Sequence, residues 1–301
     1  MNTVIGFVTN FVFDFIPVCI RRNIYIKLEY INRLDIGLKF LSLLLVGFQK
    51  QFLKLFSQKR RIGKQFLCRI TENDILSTCA TAFRGGYTSV KLYFMMGLPT
   101  ETDQDIVGIA ELAQKIVNLY YSLPEKPKGK AVNVSISVAN FVPKPHTPFQ
   151  FEPQITREEM LRRQALLKDS IKSKKITFNY HENKTSFLEG VFARGDRRLG
   201  AVIESAYKKG CQFDGWDECF NLDAWLEAFK ECGIHPEFYA NRTRSFEEIT
   251  PWDHLDYRIT KEFLIRENMA AHAEKTTPNC RETCASCGAN SYGKGVCFEK
   301  R

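Results

Sequence analysis

The chain has 301 residues, of which 44% are hydrophobic and 26% are charged, with 43 Lys and Arg against 34 Asp and Glu and a net charge of +9. This composition excludes wholesale disorder, collagen-like repetition and a disulfide-stapled miniprotein. The length allows one large domain or two ordinary ones. Residues 1–68 hold 11 Lys and Arg and three acidic residues, whereas residues 69–301 hold 32 Lys and Arg and 31 acidic residues. The nearly balanced charge of residues 69–301 gives no indication of a nucleic-acid surface.

Residues 1–69 form an atypical apolar and basic N-terminal segment. Its apolar runs at 4–20 and 36–48 are shorter than the roughly 20 residues that a membrane span needs. Residues 38–61 are compatible with a basic amphipathic helix, which could contact an anionic membrane surface. The alternatives are an ordinary helical extension and a stretch that is not a native domain. We expect no secretory signal, because the first residues lack a positive n-region.

From residue 70 the sequence alternates between helical and strand patterns. Helices are predicted at 71–83, 103–117 and 157–173, and strands at 89–96, 132–142 and 175–180. Thr71 and Thr102 are the predicted N-caps of the first two helices. This alternation is typical of parallel βα units, three of which make about half of a closed barrel. The predicted fold class is therefore α/β, with a partial TIM-like barrel at 70–182 and a helical C-terminal region at 183–275.

Two strand ends are the main candidates for a ligand site. Gly97-Leu98-Pro99 follows the first strand, where a glycine allows close approach of a nucleotide-like ligand; a capped strand-to-helix turn is the alternative. One face of the second strand carries Ser135 and Ser137, small polar residues that suit the lining of a cavity. This strand ends in Phe141-Val142-Pro143. In a barrel, functional residues gather at such carboxyl ends.

Other polar residues give less specific signals. His146 has the chemistry of an acid–base group, but a loop histidine satisfied by local hydrogen bonds fits equally. His181 and Glu182 follow the third strand and could line the same cavity. Arg194, Asp196, Arg197 and Arg198 are expected to pair with one another at the surface, the alternative being contact with an anionic substrate. The sequence identifies no catalytic residue.

The sharpest motif is a cysteine cluster in the tail at 276–301. It consists of Cys280, Cys284, Cys287 and Cys297, and the other six of the ten cysteines are scattered. This distribution predicts a reduced, cytoplasmic protein with one thiolate cluster. Soft sulfur ligands select zinc or an iron–sulfur cluster, and Cys297 could complete a four-thiolate shell. The sequence leaves open whether zinc or an auxiliary iron–sulfur cluster binds.

Together, several segments resemble the C-terminal part of radical S-adenosylmethionine proteins, closest to the family that carries a cobalamin (B12)-binding domain. The matching segments are VKLYFMMGLPTET at 90–102, FVPKPHTPF at 141–149, FARGDRR at 192–198, FYANR at 238–242, PWDH at 251–254 and the terminal cysteines. The resemblance covers about residues 70–301. It implies a 4Fe–4S cluster and one-electron cleavage of S-adenosylmethionine, which gives a 5′-deoxyadenosyl radical that abstracts hydrogen from a substrate.

The resemblance also implies that the later barrel strands contact the adenosyl part of S-adenosylmethionine. The residues concerned are Gly97, Leu98, Pro99, Ser135, Ser137, Phe141, Val142 and Pro143. The family's cluster-binding triad has no counterpart at 1–69, where Cys19 and Cys68 stand alone, and the terminal triad follows the barrel and has Ser286 where the motif has an aromatic residue.

We therefore expect a truncated family member that is inactive alone. Its missing N-terminal half would come from a separate chain, and its substrate is unknown. The alternative is a non-enzymatic interaction module that binds zinc or an iron–sulfur cluster.

Overall fold

The computed structural model describes residues 71–278, 280 and 283–289. The predicted amphipathic segment at 38–61 and Cys297 lie outside the described residues. Within the described ranges, no helix is both long enough and apolar enough to cross a membrane.

Helices and strands alternate in the first half of the described chain, and helices alone follow. The elements are α1 Glu72–Arg84, β1 Ser89–Met96, α2 Asp103–Ser122, β2 Asn133–Asn140, a short 3-10 helix Pro148–Phe151, α3 Arg157–Ser170, β3 Ile176–Tyr180, α4 Asn183–Ala193, α5 Leu199–Lys208, α6 Leu222–Glu231, α7 Pro236–Ala240 and α8 Lys261–His272. The predicted α/β class is confirmed.

The predicted helix caps are confirmed. The Thr71 hydroxyl accepts a hydrogen bond from the Asp74 backbone N–H at 3.2 Å, and the Asp74 carboxylate accepts the Thr71 N–H in return. At the start of α2, the Asp105 carboxylate accepts the Thr102 N–H at 2.8 Å. Such reciprocal bonds satisfy backbone donors that the first turn of a helix leaves unpaired. Helix α3 ends at Ser170, three residues before the predicted end, because Ile171 has extended backbone angles.

The three strands form one parallel sheet in the order β1-β2-β3. One face of this sheet is apolar and buried: it carries Val90, Leu92, Phe94 and Met96 of β1 and Val134, Ile136 and Val138 of β2. These side chains belong to the same core cluster as Ile75 of α1, Ile109 of α2 and Leu167 of α3. The period-2 alternation of the strands therefore directs one face towards the helices.

The later helices build a second core. Phe187 and Val191 of α4 pack in one cluster with Val202 of α5 and with Trp225 and Phe229 of α6. The amphipathic spacing of these helices explains why each one buries a single face.

Arg194 corrects one prediction from the sequence. It was expected to pair at the surface, but it is fully buried at the end of α4 and donates hydrogen bonds to the carbonyls of Ala240 at 2.8 Å and Arg242 at 3.0 Å. Burial lowers the pKa of Arg194 to about 10. The prediction is confirmed for Asp196 and Arg198, which form an exposed ion pair at 2.7 Å.

Three of the segments that carry the family resemblance, 192–198, 238–242 and 251–254, meet around this arginine. Arg244 donates to the Arg194 carbonyl at 2.8 Å, and its guanidinium lies 5.1 Å from the ring centre of Trp252. The Trp252 indole N–H in turn donates to Gln150 at 2.8 Å, in the 3-10 helix that follows β2. The two buried arginines hold the helical region together, and the Trp252 indole connects it to the chain that leaves the sheet.

Replacing Arg194 with leucine should destabilise the protein strongly. In Arg194→Leu the carbonyls of Ala240 and Arg242 lose their buried donors, which should lower the free energy of unfolding by about 3 kcal/mol. Urea unfolding followed by circular dichroism measures this change. The matched control is Arg197→Leu, an exposed position where we expect a change within about 0.5 kcal/mol. Equal stability of the two variants would contradict a clamping role for Arg194.

Candidate functional site

Apart from Met95, which packs against the apolar cluster at the sheet end, the sheet face opposite the apolar core carries small or polar side chains. Strand register places them in cross-strand rows: Lys91, Ser135 and Thr177; Tyr93, Ser137 and Asn179; and Met95 and Ala139. All of them are half-buried or exposed. Within this face, the Asn179 amide donates to the Ser135 hydroxyl at 3.2 Å. Ser135 and Ser137, predicted from the sequence as cavity-lining residues, therefore lie on one polar surface.

Gly97 lies at the carboxyl end of β1 in a conformation that favours glycine, with φ of +89°. A Cβ atom at this position would lie 2.9 Å from Cδ1 of Ile155. The Gly97 N–H donates to the Glu101 carboxylate at 2.5 Å. The close approach that the sequence suggested for a ligand is thus made by the protein's own Ile155 side chain.

A chain of charged groups holds this turn against α3. The buried Glu101 carboxylate forms an ion pair with Arg163, whose Nε also donates to Glu159 at 2.6 Å. Hydrogen bonds from Arg162 and Arg163 hold the pKa of Glu159 at about 2. The sequence carries no local signal for this network, because Glu101 and Arg163 are 62 residues apart.

The end of β2 is packed by apolar side chains from distant parts of the chain. Phe141 and Leu98 are buried in a cluster with Phe149 and with Ala271 of α8. The rings of Phe141 and Phe149 meet edge to face, with centroids 6.1 Å apart. Leu98 and Phe141 therefore stabilise the carboxyl end of the sheet. Of the other residues predicted to contact the adenosyl group, Pro99 and Val142 are half-buried and Pro143 is buried.

An amide network links the carboxyl ends of β2 and β3. The Asn140 side chain donates to the His181 carbonyl at 3.0 Å and to the Ser186 hydroxyl at 2.9 Å. The Gln154 side chain donates to the Phe141 carbonyl at 3.2 Å. Oδ1 of Asn140 and Oε1 of Gln154 are buried and accept no hydrogen bond from the described residues. Asn140 lies on the strand face of Val134, Ile136 and Val138, and the Gln154 side chain lies against Gly190 of α4, so both oxygens belong to the buried side of the sheet end. An asparagine ending an apolar strand was the signal available in the sequence.

His146 is held in place through its backbone. It has a left-handed φ of 55°, and its N–H donates to Gln150 at 2.9 Å. The imidazole lies 4.3 Å from the Tyr257 ring centre, and its buried Nε2 has no partner among the described residues. Burial lowers the pKa of His146, which favours the neutral ring. Local hydrogen bonds thus satisfy the backbone of His146, while the ring nitrogen Nε2 is left unsatisfied.

The side chains of His181 and Glu182 are exposed. Instead of its ring, His181 offers its backbone carbonyl, which accepts from Asn140 and from Gln164. Neither side chain is buried in a cavity lining, and His181 contributes its backbone carbonyl instead.

The cysteine tail runs back along α8. Thr277 donates to Glu267 at 2.8 Å, and the Thr260 N–H donates to the Cys287 carbonyl at 3.0 Å. Cys280 and Cys287 are half-buried, and Cys284 is exposed. Thiol donors suit zinc or iron–sulfur chemistry, but within 71–278, 280 and 283–289 no three His, Cys, Asp or Glu side chains are grouped as metal ligands.

Comparison with known proteins gives one informative match. Over 166 residues, or 55% of this chain, the sequence is 28% identical to an uncharacterized protein of Methanocaldococcus jannaschii. The match covers 34% of that protein, so the chain spans about a third of the length of the curated relative it matches. No protein-family profile matches the chain. No solved structure matches it either.

Gly97→Ala should test how tightly the β1 turn is packed. The added Cβ requires a left-handed alanine and displaces Ile155, so the free energy of unfolding should fall by about 2 kcal/mol. The control is Gly129→Ala, which also has a positive φ but has open space at Cβ, and should lose about 1 kcal/mol. Both values come from urea unfolding. If Ile155→Ala fails to relieve part of the Gly97→Ala loss, the contact is not the cause.

Proposed function

We propose that residues 71–182 are the later half of a radical S-adenosylmethionine barrel whose polar sheet face binds the adenosyl part of the cofactor. The observation that carries the proposal is the pair of polar rows Lys91-Ser135-Thr177 and Tyr93-Ser137-Asn179. The interior of a filled barrel is dominated by bulky branched side chains. A face of hydroxyl, amide and phenol groups instead suits a hydrogen-bonding ligand.

The side chains of this face are of the chemical types that bind nucleosides. The hydroxyls of Ser135 and Ser137 and the amide of Asn179 can exchange hydrogen bonds with ribose hydroxyls and with the edge of adenine. The Tyr93 ring offers an aromatic surface for the base.

Cleavage of the cofactor depends on a component beyond the described residues. A 4Fe–4S cluster, when bound, supplies the electron that cleaves S-adenosylmethionine, and the described chain offers no assembled ligand set for it. The described sheet also leaves one edge of β1 and one edge of β3 unpaired. The backbone N–H and C=O groups at such edges are free to pair with further strands. A separate chain that carries the cluster and the first half of the barrel would satisfy both needs.

A cytoplasmic location is part of this proposal. Cys79, Cys211, Cys219 and Cys232 form no disulfide, and Cys79 is buried in the core beneath the sheet. Unpaired thiols are typical of reducing compartments.

Ligand binding to the full chain tests the proposal. We expect calorimetry to detect binding of S-adenosylmethionine and of S-adenosylhomocysteine. Ser137→Leu, which places a bulky apolar group in the second polar row, should weaken binding about tenfold or more. The control is Ala201→Leu, an exposed small-to-large change on α5.

Two results would count against the proposal. Absence of binding, or equal binding by Ser137→Leu and the unaltered chain, removes the polar face as the ligand site. Release of 5′-deoxyadenosine by the isolated chain after reduction would contradict the need for a second component.

A metal-binding interaction module is the second candidate function. It is favoured by the Cys280-x3-Cys284-x2-Cys287 spacing together with the way the tail is held on α8 by the Thr260–Cys287 backbone hydrogen bond. Three closely spaced thiolates can bind zinc or an auxiliary iron–sulfur cluster, with Cys297 as a fourth ligand.

Metal content distinguishes these outcomes. We expect the purified full chain to retain metal, and Cys284→Ser to lose most of it because one thiolate ligand is removed. Cys219→Ser changes another exposed cysteine and should retain the metal. Elemental analysis and an acid-labile sulfide assay measure both quantities: zinc without sulfide indicates the module, and iron with sulfide indicates an auxiliary cluster. Equal metal in the two variants would exclude the terminal triad.

A further inference from the structure

The loop between α5 and α6 exposes an unusual amount of aromatic surface. Phe213 is 73% exposed and Trp216 is 63% exposed, and Tyr207 at the end of α5 is also 63% exposed. Phe213 has a left-handed φ of 59°, which an aromatic residue rarely adopts. The loop is nevertheless ordered by backbone hydrogen bonds from Trp216 to Phe213 and from Cys219 to Trp216, each 2.9 Å long. The aromatic rings are therefore presented on a defined turn.

The same loop is acidic. Between Cys211 and Cys219 it contains Asp214, Asp217 and Glu218 and no basic residue. Oδ1 of Asp214 is buried and accepts no hydrogen bond within the described part of the chain. The loop thus carries three carboxylates and no cation of its own.

The neighbouring lysines are paired with acidic residues outside the loop. Lys208 forms an ion pair with Glu204 at 2.6 Å, and Lys209 forms one with Glu231 at 2.7 Å. Exposed aromatic rings beside carboxylates are complementary to a segment that is both apolar and basic, since rings attract cations and cover apolar side chains.

One stretch of this chain has that composition. Residues 38–61 contain six Lys and Arg, no acidic residue, and leucine or phenylalanine at many of the other positions. Residues 1–70 as a whole hold 12 Lys and Arg against three acids, whereas residues 71–301 hold 31 of each. The excess positive charge of the protein therefore resides in the part that matches the acidic aromatic loop.

We propose that residues 38–61 of the chain dock on the acidic aromatic loop at 211–219, with basic side chains against Asp214, Asp217 and Glu218 and apolar side chains against Phe213 and Trp216. Docking covers the exposed rings and places basic side chains beside the carboxylates of the loop. In this arrangement residues 38–61 contact a protein surface instead of a membrane surface.

Carbodiimide cross-linking of the full chain tests this docking. The reagent joins carboxylates to lysine amines in direct contact, so we expect links from Lys50, Lys54 or Lys59 to Asp217 or Glu218, read by mass spectrometry. Trp216→Ser should reduce the yield of these links about fivefold, because an exposed cation–π contact is lost. Tyr180→Ser, an exposed aromatic position on β3, is the matched control and should leave the yield unchanged.

Asp214→Asn supplies a second variant that keeps the shape of the loop. It should reduce the remaining links to Asp217 and Glu218, because part of the attraction is removed. The proposal is overturned if links spread over acidic residues across the surface, or if Trp216→Ser and Tyr180→Ser give equal yields. Links found only between isotopically labelled and unlabelled copies would also overturn it.

Discussion

The two faces of the β2 strand set the constraint on which the described structure depends. Val134, Ile136 and Val138 are fully buried against helices, while Ser135 and Ser137 alternate with them on the other face. A shift of one residue in register would exchange these faces and expose the core. The same alternation that fixes the sheet therefore also fixes the position of the polar rows, so the candidate ligand surface is a direct consequence of the folding pattern.

The carboxyl end of the sheet is held by interactions that reach far along the chain. Glu101 and Arg163 connect the Gly97 turn to α3, and Ala271 of α8 packs against Leu98 and Phe141. Because the Glu101–Arg163 ion pair is almost fully buried, solvent screening weakens it little. The resulting rigidity is what a binding surface on neighbouring strands needs, since a site gains from side chains that are already positioned before the ligand arrives.

Local features of the fold could be predicted from the sequence, and distant pairings could not. The strand at 89–96 and the caps Thr71 and Thr102 rest on period and capping chemistry, which neighbouring residues determine. Arg194 was assigned to the wrong environment because its carbonyl partners lie 46 and 48 residues away. An arginine beside other charged residues looks like a surface residue, and only the folded chain reveals that carbonyl groups surround it.

The same division applies to the candidate site. Ser135 and Ser137 could be placed on one face because alternation needs no knowledge of the rest of the fold. The hydrogen bonds of Asn140 could not be predicted, because its partners, His181 and Ser186, come from the chain after β3. The polar face now limits what can cover it: an apolar helix would bury hydroxyl and amide groups without partners, at a cost for each group. Water or a hydrogen-bonding ligand meets no such penalty, and for this reason the face is better suited to a small polar ligand than to protein packing.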